Sequence, residues 1–194
     1  MLYYWFHIFQ PRTPLLYRYS PQHCYNLFAT CGILFNHESC LRKETFVSRK
    51  IISGIFDIIS GKKEFIEISD LNAAADFGYA PDFIEAIYKL VQLDVPDDFI
   101  IATGKVKKIK NWLETAFSLC GMDWKEYIVL SPNLSRKRKA LAGDITKLNN
   151  ATKWLPSHSF EGMLIKLLNS EASRRKMKSP VIGNNYKGDP QNES

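Results

Sequence analysis

The chain has 194 residues, a net charge of +6, 45% hydrophobic residues and 24% charged residues, the make-up of one ordinary globular domain or of a small domain with part of another. No apolar run approaches the roughly 18–20 residues of a membrane-spanning helix, which argues against a membrane protein. Cys24, Cys31, Cys40 and Cys120 form no C-x-x-C pair and have no histidine at zinc-finger spacing, which argues against a structural metal or a disulfide framework.

In chain order, residues 1–26 show no clear period, and Pro11, Pro14 and Pro21 with scattered aromatics predict irregular structure. The aromatic start has no basic leader, and Pro11-Arg12-Thr13-Pro14 follows in place of a small-residue cleavage site, so no signal peptide is expected. Residues 27–35 are a continuous apolar run closed by the polar cluster 36–39, the pattern of a strand buried on both faces in a parallel sheet. Polar residues just past such a strand are placed to meet a ligand, because ligands bind beyond the carboxyl ends of strands in open α/β sheets.

A helix is expected over 45–60, with Ile52, Ile55, Phe56 and Ile59 on one stripe and Gly61 as its C-terminal stop. Residues 65–68 read as a short strand. Pro81 fits the first turn of a next helix, with Ile84, Ile87, Tyr88 and Val91 facing one side. Pro96-Asp97-Asp98 breaks the chain, and 99–104 reads as a second buried strand. A helix carrying Ile109, Leu113, Ala116, Phe117 and Cys120 follows, stopped by Gly121. Residues 127–130 are a further short strand. Asp144 is placed as the N-cap of a helix to about Trp154, and Ser159 as the cap of a last helix with Met163, Leu164, Leu167 and Leu168. From Ser173 the chain is polar and basic, and a disordered tail is expected over 173–194. The basic runs at 105–110, 136–139 and 174–178 lie in separate segments without a nucleic-acid motif, and read as solvated helix ends, loop and tail. Alternating strands and helices predict an α/β fold, and two convincing buried strands predict only part of a doubly wound sheet.

Gly32-Ile33-Leu34-Phe35-Asn36-His37-Glu38-Ser39 and Glu44-Thr45-Phe46-Val47-Ser48-Arg49-Lys50-Ile51 resemble a strand end and the following helix of the GDP-mannose 4,6-dehydratases. So do Asp76-Phe77-Gly78-Tyr79-Ala80-Pro81-Asp82-Phe83 and Pro96-Asp97-Asp98-Phe99-Ile100-Ile101-Ala102-Thr103-Gly104, in the family's order. Gly143-Asp144 with Thr146-Lys147, then Trp154 and Pro156, extends the resemblance, which runs over about 27–168. These are extended short-chain dehydrogenase/reductase proteins. The resemblance implies a partial Rossmann-like (doubly wound) parallel sheet plus a mostly helical substrate-binding domain within 27–172.

It also implies a lyase chemistry of nucleotide-sugar metabolism and the GDP-fucose pathway, in which GDP-mannose becomes GDP-4-dehydro-6-deoxy-mannose through a redox cycle on bound NADP. By the same resemblance His37 and Arg42 are cofactor contacts, and Asn36, Val47, Arg49 and Lys50 shape the sugar-nucleotide pocket. A ring donor and a guanidinium suit phosphate or amide groups. The remaining machinery does not match. The sequence has no G-x-x-G-x-x-G turn. Gln22 and Asn26 stand where the family's Tyr and Lys, four residues apart, are expected. Ala75 stands where the family has a diphosphate-clamping Arg, and Leu134-Ser135-Arg136-Lys137 replaces its Arg-Pro-x-Glu pattern. No residue is assigned as catalytic or as a metal ligand. The expectation is a truncated dehydratase homologue, cytoplasmic, inactive as this chain alone, with neither nucleic acid nor membrane as a partner. The alternative is a non-catalytic interaction protein docking on an intact dehydratase; a homo-oligomer is also open.

Overall fold

A computed structural model describes residues 28–131 and 139–182, together with the backbone of the strand Tyr4–Phe9. The described residues form an α/β protein whose compact units are two, one drawn from Met1–Ser39, Ala73–Lys108 and Lys137–Phe160, the other from Cys40–Asn72, Ile109–Arg136 and Glu161–Ser194.

The first unit is built on the two predicted buried strands. β2 (Ala29–Leu34) pairs in parallel with β6 (Asp98–Ile101), with Leu34 opposite Ile101. Within the stretch expected to be irregular, β1 (Tyr4–Phe9) is a strand, antiparallel to β2. Hydrogen bonds from a neighbouring strand hold it there, a long-range cause that local periodicity does not register. Gln22 and Asn26 lie outside the described residues. After Phe35 the chain changes partner: β3 (Asn36–Glu38) pairs in parallel with β5 (Ala74–Tyr79), which pairs antiparallel with β7 (Val106–Lys108). The Phe35 N–H still donates to the Ile101 carbonyl at 3.0 Å, so the switch falls between Phe35 and Asn36.

The helix after β5, here α2 (Ala80–Leu90), follows the second helix predicted, and Pro81 sits in its first turn as expected. Its buried face differs from the predicted stripe. Ile84 and Tyr88 are exposed, and Phe83, Ala86 and Leu90 face the core with Leu34, Phe99, Ile101, Leu148 and Trp154. The rotation follows from Gly78, whose missing side chain makes room for the Phe83 ring. A Cβ on Gly78 would stand 2.2 Å from Phe83 Cε2. Gly78→Ala is therefore expected to lower stability by about 1–3 kcal/mol through forced repacking of Phe83, read as a fall in Tm. The helix placed from Asp144 to Trp154 is shorter, α4 (Thr146–Thr152), because Lys153 turns left-handed at φ 57°. The Asp144 carboxylate accepts the Thr146 N–H at 2.9 Å.

The second unit is mostly helical. The first predicted helix, α1 (Val47–Ile59), buries Ile51, Ile52, Ile55 and Phe56, while Ile59 at its last turn is exposed. Gly61 is left-handed at φ 69°, as a helix stop requires. β4 (Ile66–Ile68) pairs in parallel with β8 (Ile128–Leu130). α3 (Ile109–Leu119) buries Ile109, Leu113, Ala116, Phe117 and the following Cys120, as the pattern predicts, and Trp112 besides. Burial pushes the Cys120 thiol up to about 12, so it stays a packed, protonated group. α5 (Phe160–Arg175) buries Met163, Leu164, Leu167 and Leu168, also as predicted. Order continues into the expected tail. α5 runs to Arg175, and the Ile182 N–H donates to the Leu119 carbonyl at 2.8 Å. No helix among the described residues is long and apolar enough to cross a membrane.

Candidate functional site

The candidate residues fall in both units, and each group is built from its own elements. In the first, Asn36 and His37 occupy β3, opposite Phe77 and Gly78 of β5. The Asn36 amide Nδ2 donates to the Asp76 carbonyl at 3.3 Å. His37 Nδ1 is 2.9 Å from the Phe35 carbonyl oxygen; a carbonyl only accepts, so Nδ1 carries the proton. The ring also lies 5.6 Å from the Phe83 ring at a 38° tilt. A hydrogen bond on one edge and an aromatic neighbour fix the imidazole, which is the preorganisation a ligand contact needs.

Asp76 fixes the same sheet from below. It is fully buried, and its Oδ1 accepts from the Thr103 N–H at 2.9 Å and the Thr103 hydroxyl at 2.5 Å. Its Oδ2 accepts from the Gly104 N–H at 2.9 Å and the Gly143 N–H at 3.2 Å. One carboxylate thus ties β5 to the turn leading into β7 and to the segment at Gly143. Nothing in the sequence pattern marks this role, apart from an acidic residue inside a strand.

A second buried carboxylate, Asp82 on α2, accepts from the Ser157 hydroxyl at 2.7 Å and the His158 N–H at 3.1 Å, and His158 Nδ1 stands 2.7 Å from it. Ser, His and Asp together invite comparison with a nucleophilic triad. The geometry is different. A triad histidine uses one ring nitrogen for Asp and the other for Ser. Here Nδ1 meets both Asp82 and the Ser157 hydroxyl, the latter at 3.1 Å. The cluster is a clip holding residues 157–158 to the start of α2, with Tyr79 packed edge-on to His158 at 4.8 Å.

In the second unit, Arg42, Val47, Arg49 and Lys50 lie in and before α1. The Arg42 guanidinium stacks on Phe46, 3.9 Å from the ring centre. Val47 is half-buried and Lys50 exposed. Arg49 is 6% exposed and its Nη2 donates to Glu171 at 2.5 Å. Glu171, fully buried, also accepts from Arg174 at 2.6 and 2.8 Å and from Arg175 at 2.5 Å. Arg175 continues to Asp57 at 2.6 Å and to the Ser53 hydroxyl at 2.7 Å. The Arg49 charge is committed to this network. Sequence spacing does not connect position 49 to position 171, so the pairing was not readable there.

One open cleft of about 800 Å³ lies in the first unit, lined by Leu93, Asp97, Phe99, Asp144, Thr146 and Lys147 among others. No candidate residue lines it, and its lysine is already paired with Asp97 at 2.6 Å. An acidic wall of this kind repels a phosphoanion.

The Arg42 guanidinium suits a phosphate, while His37, with its Nδ1 proton given to the Phe35 carbonyl, has an acceptor as its other ring nitrogen; Gly78 and Gly143 do not form a pyrophosphate cradle. A cradling glycine leaves room that a ligand fills. Gly78 is filled by Phe83, and at Gly143 a Cβ would stand 2.3 Å from the Ala102 Cβ. These glycines serve packing. No group of three or more His, Cys, Asp or Glu among the described residues is placed to hold a metal.

Comparison with known proteins gives a consistent result. The family model described as GDP-mannose 4,6 dehydratase matches residues 16–167. GDP-mannose 4,6 dehydratase 2 of Arabidopsis thaliana is 30% identical over 188 residues, covering 92% of this chain and 50% of that protein. The Homo sapiens GDP-mannose 4,6 dehydratase is 32% identical over 190 residues, covering 84% of this chain and 51% of that protein. The chain thus spans about half the length of the curated relatives it matches. Among solved structures, RMD from Pseudomonas aeruginosa complexed with NADPH superposes with a TM-score of 0.66 at 22% identity, over 74% of this chain and 47% of that one. UDP-N-acetylglucosamine 4-epimerase from Methanobrevibacter ruminantium M1 gives 0.69 at 22% identity, over 80% and 49%. At that identity the structures speak for the fold.

Proposed function

This chain belongs to the GDP-mannose 4,6-dehydratase family, and from that premise we propose that its residues form a sugar-nucleotide-binding portion of a GDP-mannose 4,6-dehydratase site without the means to turn the substrate over alone. The observation that carries the reading is the parallel pairing of β3 with β5, which sets Asn36 and His37 at the end of a strand run where α/β sheets receive ligands. Asn36, Val47 and Lys50 are assigned to GDP-mannose, and His37 and Arg42 to NADP. Arg49 takes a supporting role, since its charge is spent on Glu171. The first unit is assigned to the end of a Rossmann-type sheet and the second to the substrate domain of a cytosolic protein.

Bound NADP, in this family reading, supplies the redox cycle of the dehydration. The residues here do less. His37 presents a ring fixed by its bond to the Phe35 carbonyl, and Asn36 presents an amide fixed by the Asp76 carbonyl. Proton transfer at the sugar needs a general base, for which the family uses a Tyr supported by a Lys. Gln22 and Asn26 at those positions have no titratable proton to exchange.

GDP-mannose at saturating concentration is therefore expected to raise the Tm of the purified chain, with a much smaller shift from NADP. Absence of any shift with GDP-mannose contradicts the reading. A second reading, association with an intact dehydratase or with a second copy, draws on the exposed Ile84 and Tyr88 of α2, at 63% and 65% accessibility. Co-purification with a full-length dehydratase supports it, and a monodisperse monomer that ignores the full-length enzyme contradicts it.

A further inference from the structure

The antiparallel register of β5 and β7 sets Ala75 directly opposite Lys107. Residues opposite one another in such a pair stand on the same face of the sheet. Alternation along β5 puts Phe77 on that face too, and the parallel register with β3 adds Asn36, opposite Phe77. Asp76 takes the other face, where it is buried. One face of a three-stranded sheet thus carries Asn36 on one outer strand and Lys107 on the other, two strand spacings or about 10 Å apart across the sheet.

Lys107 differs from the described lysines that carry an ion pair. Lys63, Lys89, Lys110 and Lys147 each lie within 4.0 Å of a carboxylate. Lys107 is half-buried yet makes no ion pair and no hydrogen bond through its ammonium among the described residues. Among the described residues its ammonium lies over the Phe160 ring, with Nζ 5.3 Å from the ring centre. An aromatic face repays only part of the hydration a half-buried ammonium gives up. The side chain across the strand is the methyl of Ala75, which neither neutralises the charge nor fills the space a longer residue would take.

We propose that Lys107 holds the diphosphate of the bound sugar nucleotide, so that the anion is gripped from β7 across the strand pair. The assignment rests on the sugar-nucleotide reading above. The ammonium supplies a charge-assisted bond to a phosphate oxygen, and Asn36 on the same face meets another part of the ligand.

Titration calorimetry with the purified chain tests it, with GDP-mannose, guanosine and inorganic pyrophosphate as probes. Lys107→Ala is expected to weaken GDP-mannose binding about tenfold, the loss of one charge-assisted bond. Guanosine affinity stays unchanged, and Lys107→Arg retains GDP-mannose binding. Far-UV circular dichroism and Tm confirm that both variants fold. Equal affinity of Lys107→Ala and wild type for GDP-mannose overturns this inference and leaves the sugar-nucleotide reading standing. A parallel loss of guanosine binding overturns it as well, since the lysine would then act through structure. Pyrophosphate bound as tightly as GDP-mannose overturns the nucleotide assignment in favour of a bare anion site. Failure of the wild type to bind GDP-mannose overturns both readings together.

Discussion

Glu171→Ala is expected to lower the unfolding free energy of this protein by about 3–5 kcal/mol, enough to unfold a marginal domain. Glu171 is fully buried and is the common acceptor for Arg49, Arg174 and Arg175. Removing it leaves Arg49, at 6% exposure, as an uncompensated buried charge. Arg175 keeps Asp57 and rests over the Phe56 ring at 5.6 Å, so part of the network survives. Arg174→Ala is the control. Its side chain is 51% exposed, and its loss is expected to cost about 0.5 kcal/mol or less in urea unfolding.

The same carboxylate sets a pH dependence. Burial by itself would raise its pKa, but hydrogen bonds from Arg174, Arg175 and Arg49 overcome that and hold it at about 2, below the ordinary 4.5. A carboxylate depressed on folding contributes stability above its unfolded pKa and loses it as pH falls through the folded one. Tm is therefore expected to be level above about pH 5 and to fall between roughly pH 4.5 and pH 2. Asp57 is also lowered: burial opposes the shift, and hydrogen bonds from Lys63 and Arg175 outweigh it. It adds to the same acid limb. Glu171→Gln removes only its own share, so the difference between the two Tm–pH curves should narrow across that window.

Asp76→Ala is the second large effect, with an expected loss of about 3–4 kcal/mol in urea unfolding. Three backbone N–H groups, of Thr103, Gly104 and Gly143, would lose their acceptor, and the Gly143 bond is buried. Asp76→Asn keeps the shape but fails in part. An amide nitrogen at the Oδ2 position would face the N–H groups of Gly104 and Gly143, donor against donor. Because the Thr103–Gly104 turn leads into β7, Asp76→Ala is also expected to weaken GDP-mannose binding more than Glu171→Gln does, since the turn places Lys107.

The apolar runs read at 27–35 and 99–104 fall on β2 and β6, which pair in one sheet and bury most of their side chains, and such runs are readable without partners in view. The stripes of α1, α3 and α5 were readable for the same reason: one apolar face recurs at helical spacing. In α2 two apolar stripes compete, and the void beside Gly78 selects Phe83 over Ile84. Periodicity holds no information about that void. The candidate site divides likewise. Asn36 and His37 were legible from a polar cluster closing an apolar strand. Glu171 meets Arg49 across 122 positions, and Asp76 meets Gly143 across 67, distances at which spacing says nothing. Ala75 read alone is a lost cation. Only the strand register shows that Lys107 stands opposite it.

The most direct measurement incubates the purified chain with GDP-mannose and NADP, follows binding by calorimetry, and follows the sugar nucleotide by mass spectrometry. Saturable GDP-mannose binding with no dehydrated product is the expected result. A product one water lighter than GDP-mannose, formed by these residues alone, would contradict the account, as would the absence of binding.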